Sequence, residues 1–298
     1  MASNNKSNER ILAIALVTRH GMRGTPDKSA DADSANTEIP LTEAGYEQMC
    51  RLGCNIRAKY ARSFAVDEAK VEGKSSPVGR CMHSAAEVLR GFSAAGATTD
   101  IVADQGLRAA WVDPSPGFAY VNDMFRDVVS YAVPDATGMS FGKLVMAVII
   151  ACDNVQTDFE TGKDISHLDE ILVHRMNQYL EYFFQDYMRD RNFLLKEVAH
   201  IVDYAVKRTT AAADSKTPLF LVMATHDSVI SRILKVIGLL GTMAADQPFA
   251  ANITFELSED KKTEERFFRI YYNKDVNSYP GRLLAKLSPQ QLLKRLAP

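Results

Sequence analysis

Hydrophobic positions along the chain fall into two kinds of run. Ile11 to Thr18 is unbroken and aliphatic, without alternation, which is the pattern of a parallel strand covered on both faces. Leu219 to Ala224 repeats it late in the chain. Between these runs apolar residues recur at helical spacing. Met49, Leu52, Ile56 and Tyr60 predict a helix from Leu41-Thr42 to about Arg62, with Thr42 as its N-cap. Met82, Ala85, Ala86, Leu89 and Phe92 predict a second over 80–95, and short strands are expected within 66–74 and near Ile101-Val102. From about Asp113 to Asn192 strand signals thin out and helix-period apolar residues replace them, among them Met176, Tyr179, Leu180, Phe183, Phe184 and Tyr187. A helix over 193–212 returns the chain to the sheet, and one over 228–239 follows the second buried strand. Residues 251–257 and 267–273 predict a hairpin across the charged turn Ser258 to Glu265, and the tail carries a weak helix signal after Ser288-Pro289. Buried strands alternating with helices predict the α/β class, as a three-layer sandwich with a mostly parallel central sheet and an inserted helical cap. The expected division is an α/β core of residues 1–115 and 200–298, with a cap of 116–199 between its two parts.

Composition narrows the function classes. With 298 residues the chain can bury a large core without disulfides or a structural metal. A formal net charge of −2 gives no basic footprint for nucleic acid or anionic membrane. Ile11 to Val17 is too short to span a bilayer and runs directly into a charged motif, so no membrane span and no signal peptide are expected. The chain as it stands reads as cytoplasmic; a secreted or lysosomal location would follow had a leader preceded it. Cys50, Cys54, Cys81 and Cys152 include no CxxC pair, which disfavours zinc ribbons and thioredoxin-like motifs. Cys50 and Cys54, at i, i+4 on one helix face, read as reduced core thiols, while the even count also allows pairing with distant cysteines and leaves the compartment open. Oligomeric state is left open, a homodimer included. P-loop, dinucleotide-binding, zincin and serine-hydrolase signatures do not occur.

One motif carries chemistry. Arg19-His20-Gly21-Met22-Arg23 follows the first buried strand, the position where open α/β sheets bind ligands. Two guanidiniums beside an imidazole favour its neutral form, which keeps the lone pair a nucleophile needs. The same guanidiniums present planar forks that match phosphate oxygens, and Gly21 lets the backbone approach a ligand closely. The bland alternative is a surface histidine in a basic loop. Against it, chance gives RHGxR in a chain of this length on the order of once in several hundred, counting fixed letters.

RHGMRGTP resembles the RHGxRxP signature of the histidine acid phosphatases, a branch of the histidine phosphatase superfamily. Leu41-Thr42-Glu43-Ala44-Gly45-Tyr46-Glu47-Gln48 is similar to the family's LTxxGxxQ helix start, and Ser75-Ser76-Pro77-Val78-Gly79-Arg80-Cys81-Met82-His83-Ser84-Ala85 to its third-arginine segment. Ala224-Thr225-His226-Asp227-Ser228 resembles its HD motif, and the order of motifs holds from residue 11 to 273. Two departures bear on the pocket: the proline stands one place late, at Pro26, and Cys81 replaces the family's usual threonine. The resemblance implies a phosphoglycerate mutase-like fold and a phosphomonoester hydrolase working through a phosphohistidine. It implies His20 as nucleophile, Asp227 as general acid and then base, His226 as a second catalytic histidine, and Arg19, Arg23, Arg80 and His226 as phosphate ligands. It implies a small-molecule phosphate monoester as partner, and neither metal nor cofactor.

Alternatives on the same residues are a phytase or sugar-phosphate phosphatase, a mutase-like phosphotransferase, and a silent phosphate-binding protein. The HD pair argues against the mutase branch, and the complete charged set against a silent one. Arg80 alone would read as a surface cation, and Asp227 alone as a helix cap. His83, His167, His174 and His200 stand in no such string and read as ordinary histidines, and the 176–187 aromatics as cap core.

Overall fold

The first strand, β1 (Glu9–Arg19), shows why its apolar run is unbroken. In a computed structural model, which describes residues 8–25, 39–93, 100–108, 114–240 and 247–297, β1 lies inside a seven-stranded sheet with helices on both faces. Successive side chains of a strand point to opposite faces. Ile14 and Leu16 enter one hydrophobic cluster, while Ala13, Ala15 and Val17 enter the other. β4 (Leu219–Thr225) divides in the same way, with Phe220, Val222 and Ala224 on the first side and Leu219, Leu221 and Met223 on the second. A polar residue at any of these positions would have been buried, so neither face could alternate. Full burial of each large aliphatic contributes about 1.5–3 kcal/mol.

The sheet order is β3-β2-β4-β1-β5-β6-β7. β2 (Lys70–Ser75), β3 (Ile101–Ala103), β4 and β1 are mutually parallel, with Ala13 opposite Leu219 and Arg19 opposite Thr225. β5 (Asn252–Asp260) joins β1 antiparallel, and the expected hairpin forms between β5 and β6 (Arg266–Asn273). A seventh strand, β7 (Arg282–Leu287), pairs antiparallel with β6 and was not foreseen. It is an edge strand of partly exposed residues, so it has no apolar run to mark it.

The face over Ile14 and Leu16 is covered by α1 (Glu43–Tyr60) and α2 (Gly79–Phe92). Thr42 caps α1, its hydroxyl accepting from the Gly45 N–H at 3.1 Å, as expected. The two helices cross backbone to backbone. A Cβ at Gly53 would overlap the Val88 carbonyl, and one at Gly91 the Cys50 carbonyl. The opposite face is covered by α7 (Arg191–Asp214) and α8 (Asp227–Val236).

Between β3 and α7 the described chain is helical: a short 3-10 turn (Gln105–Leu107), then α3 (Phe118–Met124), α4 (Arg126–Ala132), α5 (Phe141–Glu160) and α6 (Glu170–Tyr187). Met176, Tyr179, Leu180, Phe183 and Phe184 are buried against this segment and the second sheet face in one continuous cluster. A last helix, α9 (Pro289–Lys294), opens with a Ser288/Gln291 capping box. Cys81 and Cys152 are buried, but Cys50 is only partly buried and Cys54 is exposed, so the core-thiol expectation fails for that pair; all four are free. Both belong to α1, whose buried side chains in the cluster shared with α2 include Met49, Leu52 and Ile56, beside the close approach at Gly53 and Gly91. Among the described residues no helix is long and apolar enough to cross a membrane. Pro26, the displaced proline, lies outside the described residues.

Candidate active site

Three adjacent parallel strands, β2, β4 and β1, end on one side of the sheet, and each delivers a piece of the site. Hydrogen bonds past the strand ends join the pieces. His20 N–H donates to the Thr225 carbonyl at 3.0 Å, Ser76 N–H to Ala224 at 2.9 Å, and Ala250 N–H to His20 at 3.1 Å. The loop after β1 is fixed from the helix side as well. Gly21 N–H donates to Ser84 Oγ at 3.0 Å, and Met22 N–H to Gln48 Oε1 at 3.0 Å. Gly45 sits under this loop, where a Cβ would overlap the Met22 carbonyl. The glycine, glutamine and serine of the sequence motifs are therefore clamps on the histidine loop. α2 and α8 start here without side-chain caps, so their N-terminal partial positive charge faces the same space.

All six residues singled out from sequence, Arg19, His20, Arg23, Arg80, His226 and Asp227, are brought together. His20 is buried, and its Nδ1 lies 2.8 Å from the carbonyl oxygen of Gly21. A carbonyl only accepts, so Nδ1 carries the proton and Nε2 keeps its lone pair. Burial first, then the Arg80 and Arg19 guanidiniums and the neighbouring His226, hold the imidazole well below its ordinary value. The His226 ring stands edge-on to it, with centroids 5.6 Å apart. Burial followed by Arg80, Arg19, Arg108 and Arg23 depresses His226 as well, and its Nε2 is 3.1 Å from Ser76 Oγ.

The three arginines of the motifs are almost fully buried. Arg19 donates to the Gln247 carbonyl, lies with its guanidinium carbon 4.3 Å from the Phe249 ring centroid, and pairs with Asp227 Oδ2 at 3.1 Å. Arg23 donates to the Gly24 carbonyl at 2.8 Å and pairs with Asp153 of α5. Arg80 is lowered to about 10, chiefly by burial, with repulsion from Arg23 added, and so stays cationic at neutral pH. Asp227 is the first residue of α8 rather than its cap; Oδ1 accepts from the Ser228 N–H at 2.5 Å. Cys81, in place of the family's threonine, lies 3.5 Å from the Thr225 carbonyl and 3.7 Å from His226 Nε2, and burial pushes its thiol up to about 12.

Several neighbours were not foreseen. Gln247 and Phe249 come from the segment before β5, Ser76 from the end of β2, and Arg108 from the exposed end of the 3-10 turn. Asp153 and Glu160 come from α5, seven residues apart and therefore on one helix face. Their only sequence signal was acidic residues at that spacing in the polar second half of a helix whose first half is apolar. His83, His167, His174 and His200 are exposed and lie outside the site. The arrangement offers a lone pair at Nε2, a cationic cradle for a tetrahedral anion, and a carboxyl group beside both.

No protein-family model matches the chain, and no curated protein matches it by sequence. Solved structures do match its fold. The Hafnia alvei phytase in complex with myo-inositol hexakis sulphate superposes with a TM-score of 0.70 at 10% identity over 97% of each chain. The Citrobacter braakii phytase gives 0.69 at 10% identity over 97% of each. The Bifidobacterium longum multiple inositol polyphosphate phosphatase complex with inositol hexasulfate gives 0.58 at 11%, covering 92% of this chain and 88% of the other.

Proposed function

We propose that this chain, which carries the fold of the histidine acid phosphatases, hydrolyses phosphate monoesters of small molecules through a phosphohistidine on His20. One observation carries the reading: a buried, neutral imidazole with Nδ1–H held by the Gly21 carbonyl and Nε2 free, set among three buried arginines. Arg19, Arg23, Arg80 and His226 bind the phosphoryl oxygens. His20 Nε2 attacks phosphorus, the bond to the ester oxygen breaks, and the leaving alkoxide takes a proton from Asp227. A water molecule then attacks the phosphohistidine and gives its proton to Asp227. The P–N bond breaks, the pair returns to Nε2, and inorganic phosphate leaves. Charge spreads over three oxygens during both transfers, so catalysis is positioning and electrostatic stabilisation by the arginines. No metal or cofactor enters this scheme.

The first step needs Asp227 as the acid. The need for a carboxylic acid at that position supports an acid phosphatase with an acidic optimum. The helical segment 116–199 serves as the cap over a core of 1–115 and 200–298. A second reading, a phytase on the same scaffold, is favoured by the phytases among the structural neighbours. The test is release of p-nitrophenol from its phosphate between pH 4 and 8 without added metal, with labelled phosphate trapped on the quenched protein. Wild type is expected to turn over and to carry acid-labile label, and His20→Ala to do neither. Full activity in His20→Ala refutes the reading.

A further inference from the structure

Helix α5 closes one side of the candidate site with carboxylates. Asp153 Oδ2 pairs with the guanidinium of Arg23, a residue otherwise sealed from solvent. Glu160, seven residues on and on the same helix face, accepts from Gln156 Nε2 at 3.3 Å and lies within electrostatic reach of Arg19, Asp153 and Asp227. Two residues before Glu160, Asp158 accepts from Thr25 Oγ1 at 3.3 Å and pairs with Lys163 Nζ at 2.7 Å, so that lysine is matched by its own carboxylate. Arg108 is exposed and within electrostatic reach of His226.

The charges around the cradle are therefore nearly balanced before any ligand arrives. Four arginines, Arg19, Arg23, Arg80 and Arg108, face Asp153, Glu160 and Asp227. That surplus suits one phosphoryl group. A second phosphate on the same molecule, projecting from the cradle towards α5, would meet Glu160 and Asp153 instead of a cation. Like charges brought together at partly desolvated sites are costly, and such repulsion is a means of excluding the wrong ligand.

We infer that α5 makes this site selective for mono-phosphorylated esters with an uncharged or ammonium-bearing leaving group, with Glu160 as the residue that discriminates against polyphosphorylated substrates. The inference rests on the hydrolase reading above and differs from what the phytase neighbours alone would suggest. Glu160 touches no group assigned to the chemistry by a hydrogen bond or ion pair; it acts through charge at the rim.

Burial, with Asp153 and Asp227 nearby, raises Glu160 above its ordinary value, so the experiment is run at neutral rather than acidic pH. It measures kcat/KM for p-nitrophenyl phosphate, O-phosphoethanolamine and myo-inositol hexakisphosphate at pH 7 for wild type, Glu160→Gln and Glu160→Lys. Wild type is expected to favour both monophosphates over the hexakisphosphate. The ratio of hexakisphosphate to p-nitrophenyl phosphate should rise about tenfold in Glu160→Gln, equivalent to about 1.4 kcal/mol, and further in Glu160→Lys. The opposite trend is expected for O-phosphoethanolamine. Wild type that prefers the hexakisphosphate, or a ratio unmoved in both variants while the aryl ester is still cleaved, overturns the inference and leaves the hydrolase standing. Loss of p-nitrophenol release in wild type sinks the hydrolase and the inference together.

Discussion

Replacing Asp227 by asparagine separates proton donation from phosphate binding, because Asp227 meets the cradle through an ion pair with Arg19 that the guanidinium does not need to keep its place. Its Oδ2 pairs with Arg19 at 3.1 Å, and Oδ1 accepts from the Ser228 N–H at the start of α8. Asparagine keeps the second contact through its carbonyl. Arg19 does not depend on the first, since the Gln247 carbonyl and the Phe249 ring also hold it. The guanidinium therefore stays in place, and removing a neighbouring anion leaves it freer to bind a phosphoryl oxygen. KM should stay level or fall. The chemical step loses its proton donor, which for general acids is worth about 10²- to 10⁴-fold, or ~3 to 5 kcal/mol of barrier. The loss depends on the leaving group. An alkoxide needs the proton and should lose the full factor, whereas p-nitrophenolate leaves unaided and should lose about tenfold or less. The decisive measurement is kcat/KM on an alkyl phosphate and on p-nitrophenyl phosphate, which reports the steps through P–O cleavage and leaves out the later hydrolysis, where Asp227 is the base for both esters. Equal losses of kcat/KM on the two esters, or a KM raised tenfold with kcat intact, would refute a donor role and make Asp227 a positioning residue for Arg19.

Three further outcomes follow from the packing and the electrostatics. His20 and His226 are both depressed in the fold, chiefly by burial, so below the ordinary histidine value the unfolded chain takes up protons that the native state refuses. Stability should thus rise with pH up to about 6.5 and fall below it, by up to ~1.4 kcal/mol per pH unit for each histidine; urea titrations between pH 5 and 7.5 check this, and a slope unchanged in the His20→Asn/His226→Asn double variant would contradict it. Gly91→Ala adds a Cβ against the Cys50 carbonyl where α1 and α2 cross, so it should destabilise by about 1–3 kcal/mol although alanine is the better helix former; a raised urea midpoint would show that the helices separate at no cost. Iodoacetamide at pH 8 should label exposed Cys54 first and leave Cys81 and Cys152 unmodified in the native protein, since both are buried and burial raises both thiols; early modification of Cys81, read by peptide mass spectrometry, would mean that the site opens.

The buried strands were legible because burial on both faces permits only apolar residues, and Ile11 to Thr18 and Leu219 to Ala224 satisfy that locally. The three helix starts around the site were legible for a related reason. Thr42, Gly45 and Gln48, Ser84 and Arg80, and His226-Asp227 each occur in a short string whose spacing is set by a single turn, so neighbours in space are neighbours in sequence. β7 was not legible, because a half-exposed edge strand imposes no pattern. Nor was the exposure of Cys54, which stands beside the buried pair Leu52 and Gly53 of α1 but outside its packed face.

What the sequence determined by itself is the residue set of the proposed chemistry: a histidine, its arginines and an acid, each in a local motif. What the tertiary structure alone decided is how those motifs meet and what surrounds them. Asp153 and Glu160 reach Arg23 and Arg19 across more than a hundred residues of chain, and Gln247 and Phe249 reach Arg19 across more than two hundred. Such contacts leave no periodicity in the sequence, because a charge at the rim is compatible with any helix face that solvent can reach, and only the packing of α5 on its neighbours α4 and α6 sets which face meets the phosphate cradle.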